Sequence, residues 1–172
     1  IYNAVKNGLP VMKRISTVTG DAVKNPSNFL YSIGTSYQEL IDAAGGFKSQ
    51  PEKIISGGPM MGFAMFGLDI PTTKTSSSIL CFTKDEVTQF EPLACINCGR
   101  CVEACPEQLI PSRLAKFATN GLMSEFEKWH GLECIECGSC TFACPSRRQV
   151  AQPIKTMKKL TLAEKRKQAS KK

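Results

Sequence analysis

The chain has 172 residues, of which 42% are hydrophobic, with nine cysteines and a formal net charge of +7. That length allows one ordinary domain or two small ones. Its nearest approach to a membrane span, PMMGFAMFGLDI at 59–70, is too short and holds two glycines, which excludes a spanning helix there. The charge is uneven. Residues 153–172 hold Lys155, Lys158, Lys159, Lys165, Arg166, Lys167, Lys171 and Lys172 against Glu164 alone, and the rest of the chain is neutral. No secretory signal is visible, and a start at Ile1 without methionine is expected of a piece of a longer protein.

In chain order, IYNAVKNGLPVM at 1–12 reads as the end of something upstream, a short helix stopping at Asn7-Gly8. Ile15, Thr17, Val18 and Thr19 are strand formers, and Gly20-Asp21 turns the chain. A second strand is expected over Asn28 to Ile33. SYQELIDAAGG then reads as a helix, with Ser36 as cap, Glu39 completing a capping box and Gly45-Gly46 as the stop. Leu40, Ile41 and Ala44 mark its inner face. Lys53 to Ser56 and Ser77 to Thr83 are further strands, which makes a small α+β unit. GGPMMG at 57–62 is glycine-rich but lacks both the Lys-Ser/Thr of a P-loop and G-x-G-x-x-G, so it reads as a tight turn. Cys81 lies inside a strand and reads as a small buried thiol.

The cysteine-rich unit runs from about 91. Between its halves, Ser112 and Asn120-Gly121 bracket one helix, with Leu114, Phe117 and Ala118 inward. Ser124 and Glu127 read as a capping box for a second, with Phe126 and Trp129 inward and Gly131 as stop. His130, the only histidine, reads as a surface residue. The final segment, with Ile154, Met157, Leu160 and Leu162 among its lysines, is either a basic amphipathic stretch for an anionic membrane surface or a partner, or a solvated tail. Nucleic acid is not an expected partner, because no aromatic platform accompanies the basic charge.

CINCGRCVEACP at 95–106 and CIECGSCTFACP at 134–145 carry the chemistry. Cysteines three apart leave little room for disulfides and suit chelation of one compact object in a reducing compartment. Thiolates are soft ligands, which select zinc, copper(I) or iron–sulfur clusters. Structural zinc usually takes two separated CxxC pairs, whereas each set here packs three ligands at i, i+3 and i+6. The run C-x2-C-x2-C-x3-C-P is that of bacterial two-cluster ferredoxins, whose fourth cysteine ligates the other cluster. Two [4Fe–4S] clusters are therefore expected. One takes Cys95, Cys98, Cys101 and Cys144, and the other takes Cys134, Cys137, Cys140 and Cys105. Pro106 and Pro145 redirect the chain after each crossing cysteine. Gly99, Gly138 and Ser139 are small enough for backbone amides to approach cluster sulfides. The 28 residues between Cys105 and Cys134, with two expected helices, point to a mainly α-helical ferredoxin unit. Zinc in a purely structural role is the alternative.

The order of parts is also informative. TVTGDAVKNPSNFLYSIGTSYQELIDAAGG followed by GGPMMG resembles the SLBB domain, a β-grasp module. Followed in turn by CxxCGRCVxxCP, it resembles the C subunit of the Rnf electron-transport complex (RnfC) over about residues 1–150. The resemblance implies 1–12 as the end of an upstream domain, 13–90 as an SLBB-like domain with the following strand, 91–152 as a two-cluster ferredoxin domain and 153–172 as a basic tail. It further implies an electron relay in the peripheral, NADH-side subunit of an ion-pumping ferredoxin:NAD oxidoreductase, on the cytoplasmic face of the bacterial membrane. Other subunits of the complex are the implied partners, a ferredoxin-like one among them. FMN and NAD(H) would sit only on the upstream domain, since this sequence has no flavin or nucleotide fingerprint. A cobalamin-reductase-type subunit shares the module order, and a non-catalytic assembly module with structural clusters is a further reading.

Overall fold

The computed structural model describes residues 1–85 and 90–170, so the segment leading into the cysteine-rich part and Lys171 and Lys172 of the basic tail fall partly or wholly outside it. The chain divides into two compact units, Ile1–Gln89 and Phe90–Lys172.

The first unit opens with helix α1 (Tyr2–Asn7), which ends at Gly8 in the left-handed conformation, as the Asn-Gly pair predicts. Strands β1 (Lys13–Thr19) and β2 (Ser27–Ser32) form an antiparallel pair. Helix α2 (Tyr37–Ala43) follows, then β3 (Lys53–Ser56), β4 (Phe63–Met65) and β5 (Ser78–Phe82). The sheet order is β2-β1-β5-β3-β4, with β1 and β5 parallel and the other pairs antiparallel. Strand β4 is not legible in the sequence because three residues are too few to show an alternating pattern. It completes a hairpin whose loop is GGPMMG, in line with the turn expected there. A Cβ on Gly62 would lie 2.5 Å from the Gly58 carbonyl oxygen, which explains the glycine.

Helix α2 closes the core of this unit. The Ser36 hydroxyl accepts the Glu39 N–H at 3.1 Å, the first half of the expected capping box. At the other end Gly46 N–H donates to the Ile41 carbonyl and Gly45 N–H to that of Asp42, a Schellman stop. Leu40, Ile41 and Ala44 are buried with Val18, Val23, Ile79 and Cys81. The Tyr37 hydroxyl, also buried, lies 2.7 Å from Ser56 Oγ and 2.8 Å from Ser76 Oγ. These bonds tie the helix to β3 and to the segment before β5.

The TVTGD turn is equally constrained. Gly20 has φ +121°, and a Cβ there would collide with the Cys81 carbonyl, so only glycine lets the turn pass β5. Asp21 accepts the Thr83 N–H at 2.9 Å and also the Thr83 hydroxyl.

The second unit is helical. Its longer elements are α4 (Pro111–Thr119), α5 (Met123–Lys128) and α7 (Ala151–Ala169). Two one-turn helices, α3 (Arg100–Glu103) and α6 (Ser139–Phe142), sit inside the cysteine motifs. The predicted helix starts shift. Helix α4 begins with Pro111 in its first turn and Ile110 as cap, so Ser112 is already helical. Proline, whose missing N–H costs nothing there, displaces the serine. Helix α5 begins at Met123 with no side-chain cap, so Ser124 and Glu127 form no capping box. It stops at Trp129, before Gly131. The buried Gly131 opens a 3-10 turn, where a Cβ would collide with the Phe126 ring.

Leu114, Ala115, Phe126, Ile154 and Met157 form the centre of this unit. Phe117, Ala118 and Trp129 are half-buried around it, with the Arg113 guanidinium 4.5 Å above the Trp129 ring. The segment expected as a basic tail is thus helical over most of its length. Two of its four apolar residues, Ile154 and Met157, belong to the core, while Leu160 and Leu162 stay exposed.

Two outcomes follow for the first unit. Replacing Tyr37 by Phe leaves two buried serine hydroxyls short of a partner and should cost about 1–3 kcal/mol, read as a lower urea midpoint by amide exchange in β5. The Thr83 bonds, hydroxyl first, hold the Asp21 carboxyl below its ordinary value of 3.8. Its stabilising contribution is therefore complete above that value and disappears as pH falls through the lower folded value. Asp21→Asn should flatten this acid limb of the stability profile, and an NMR titration placing Asp21 at or above 3.8 would contradict the assignment.

Candidate metal centre

The two cysteine motifs are two copies of one backbone design, offset by 39 residues. Two residues after the first cysteine, Asn97 and Glu136 take positive φ, 54° and 61°. Two residues later Gly99 and Gly138 do the same, at 81° and 83°, and each caps a one-turn helix, α3 or α6. A left-handed residue followed by right-handed ones turns successive N–H groups to one side, a geometry that favours an anionic group. The last cysteine of each motif donates its N–H back into that turn, Cys105 to Val102 at 3.1 Å and Cys144 to Thr141 at 3.2 Å. After the proline, Gln108 and Arg147 again have positive φ, 52° and 50°, and their N–H groups bond the Cys105 and Cys144 carbonyls at 3.1 Å. Strain of this kind at non-glycine residues, repeated at equivalent places, marks a constrained loop.

Two cavities in this unit sort the cysteines. One is lined by Cys95, Cys98, Cys101 and Cys144, with Ser112 and Arg148 among its other walls. The second is lined by Cys105, Cys134, Cys137 and Cys140, with Glu107 and Glu136. Each thus brings together three thiols of one motif and the last thiol of the other. All eight are free of disulfides. Four soft donors in each cavity fit an iron–sulfur cluster.

The two sets differ in surroundings. Cys95 and Cys98 are exposed, whereas Cys134 and Cys137 are half-buried and Cys140 is buried. Burial pushes the Cys140 thiol up to about 11. It also raises Cys134, although the Glu136 N–H, 3.4 Å from Cys134 Sγ, and the charge of Lys158 act the other way. Lys158 of α7 donates to the Cys134 carbonyl at 2.6 Å. Cys137 is lowered, chiefly by the Ser139 hydroxyl at 3.4 Å. A thiol raised by burial gives up its proton when a metal takes its place, so loading the second set releases protons from a dry site.

Arg148, Glu107, Glu136 and Lys158 carry no sequence signal of their own. The pairing of Arg148 with the first motif becomes visible only when the chain after Cys144 folds back. Cys81 lies apart in β5, fully buried, and burial raises its thiol to about 11. His130 is exposed and its Nδ1 lies 2.9 Å from Glu133 Oε1, away from a ligand role.

Accessibility gives a direct check. In the iron-free, folded chain, iodoacetamide should label Cys95 and Cys98 fastest and Cys81 and Cys140 slowest, as read by peptide mass spectrometry. Labelling of Cys81 at the rate of Cys95 would contradict its place in the core.

Comparison with known proteins finds two families along the chain. The SLBB domain family matches residues 15–64, and the 4Fe-4S dicluster domain family matches residues 94–150. The chain is 50% identical over 125 residues to the C subunit of the proton-translocating ferredoxin:NAD(+) oxidoreductase complex of Clostridium ljungdahlii, covering 73% of this chain and 27% of that protein. It is 45% identical over 167 residues to the C subunit of the Na(+)-translocating ferredoxin:NAD(+) oxidoreductase complex of Acetobacterium woodii, covering 97% and 38%. A third relative, the C subunit of the ion-translocating oxidoreductase complex of Methanosarcina acetivorans, is 36% identical over 129 residues, covering 75% and 29%. The chain thus spans well under half the length of these relatives. Among the described residues no helix is long and apolar enough to cross a membrane. With its SLBB domain followed by a 4Fe-4S dicluster domain, the chain belongs to the RnfC-like family and corresponds to part of such a protein.

Proposed function

We propose that the helical unit is an electron relay holding two [4Fe–4S] clusters with crossed ligation. Cys95, Cys98, Cys101 and Cys144 hold one, and Cys134, Cys137, Cys140 and Cys105 hold the other. The observation that carries the proposal is the lining of the two cavities, three thiols from one motif with the fourth from its counterpart. When bound, such clusters accept and return single electrons. The chain's own residues supply the rest. Thiolates anchor the iron, the left-handed turns at Gly99 and Gly138 direct amides toward the sulfides, and the helical core fixes the two motifs side by side. Crossing keeps the two centres close, which favours fast transfer between them.

The relatives' names set the context. The parent protein would be the C subunit of an ion-translocating ferredoxin:NAD oxidoreductase, peripheral to the cytoplasmic face of the membrane. FMN and NAD(H) would bind parts of that protein outside this chain, and other subunits of the complex would exchange electrons with the clusters. The outward lysines of α7, Lys159 and Lys167 among them, offer a basic face to an acidic partner or an anionic membrane. Membership of this family favours the relay over a cobalamin reductase.

Anaerobic purification should yield about eight irons and eight sulfides per chain. The reduced sample should give EPR signals broadened by coupling between neighbouring clusters, and the chain alone should not turn over NADH. Cys105→Ser should damage the cluster of the second motif, leaving that of the first. Zinc without sulfide, or robust NADH oxidation, would overturn the reading.

A further inference from the structure

The two cysteine sets have opposite electrostatic surroundings. Around Cys95, Cys98, Cys101 and Cys144 the one charged side chain lining the cavity, among the described residues, is Arg148, half-buried. Around Cys105, Cys134, Cys137 and Cys140 the charged lining residues are Glu107 and Glu136, the latter half-buried. Lys158 approaches this second set from α7 but directs its ammonium to the Cys134 carbonyl. It offsets one carboxylate, so the second set keeps a net negative charge and the first a net positive one.

Burial acts in the same sense. Cys95 and Cys98 are exposed, whereas Cys140 is buried and its three partners are half-buried. Reduction adds one electron to a site that already carries about −2 when oxidised. The added charge is better tolerated next to a guanidinium and water than next to carboxylates in a drier pocket. Two neutral contacts oppose this trend. The Ser139 hydroxyl beside Cys137 and the Glu136 N–H toward Cys134 both stabilise added charge on the second set. They are dipoles set against a difference in net charge and in solvent access, and they do not reverse its sign.

We infer that the two clusters are unequal. The cluster held by Cys95, Cys98, Cys101 and Cys144 is reduced at the higher potential, and Arg148 is the residue that raises it. An electron entering the helical unit therefore rests on the Arg148 side, which is also the more exposed one. This centre is the one from which a docked partner collects or delivers electrons. Arg148 acts on the cluster through its charge and needs no contact with a substrate.

The inference rests on the two-cluster reading, so the test begins with iron and sulfide content. Fewer than two clusters per chain would overturn both. With two loaded, an EPR-monitored redox titration of the chain should resolve two reduction steps. Splitting alone is not diagnostic, because reduction of one cluster repels the second electron from its neighbour. Variants make the assignment. Arg148→Gln should move the upper step to lower potential and leave the lower step nearly in place, while Arg148→Lys should largely restore it. The double variant Glu107→Gln, Glu136→Gln should raise the lower step, and it provides an independent reading if Arg148→Gln assembles poorly. A lower step that follows Arg148, an upper step that ignores it, or carboxylate removal that leaves both steps in place would overturn the assignment with the clusters still present.

Discussion

Each cavity of the helical unit draws its four thiols from two stretches that lie about forty residues apart in the chain. This constraint governs the rest of the unit. Three thiols at i, i+3 and i+6 can be arranged by one loop, but the fourth must come from elsewhere, so the two loops have to be held together by packing. Helices α4, α5 and α7 do this with Leu114, Phe126, Ile154 and Met157. Several of the cysteines themselves, among them Cys101, Cys105, Cys134, Cys140 and Cys144, lie against or within that core. Scaffold and ligands are therefore one structure. A change at Phe126 or Met157 would be felt at the thiols, and loading of the thiols would in turn stabilise the helices.

The repeat of 39 residues shows how little sequence such a loop needs. Cysteine, glycine and proline recur, with Ile96/Ile135 and Ala104/Ala143, and so do the backbone conformations between them, while the other intervening side chains differ. Those free positions are where the two sites diverge. Asn97 becomes Glu136, and the Gln108-Leu109 pair after the first proline becomes Arg147-Arg148 after the second. Since the last cysteine of each motif lines the other motif's cavity, residues that follow it reach that other cavity: Arg148 lines the first and Glu107 the second. Glu136 adds charge to the second cavity from its own motif.

Most of the cysteine chemistry is legible in the sequence because its signal is a fixed spacing with a fixed punctuation. The strands and α2 of the first unit are legible for a similar reason. Ser36, Glu39 and the paired Gly45-Gly46 state a helix start and stop in local terms, and the bonds they form are local. The errors fall where local signals compete or fall silent. Ser112 and Ser124 have the character of caps, but Pro111 takes the first turn of α4, and α5 starts at Met123, which packs against the core. Strand β4 is made by pairing with β3 and not by its own pattern. The lysine-rich end of the chain hides a core contribution, because Ile154 and Met157 are separated by residues whose charges dominate composition. Arg148, Glu107 and Lys158 cannot be assigned to sites without the fold, since their roles depend on which half folds over which.

The most direct test is an anaerobic crystal structure of the loaded chain, with the iron positions located by their anomalous scattering. Crossed ligation predicts two separate iron centres, one bonded to Cys95, Cys98, Cys101 and Cys144 and the other to Cys134, Cys137, Cys140 and Cys105. A centre bonded to all four cysteines of one motif, with Cys105 beside Cys101 and Cys144 beside Cys140, would contradict it.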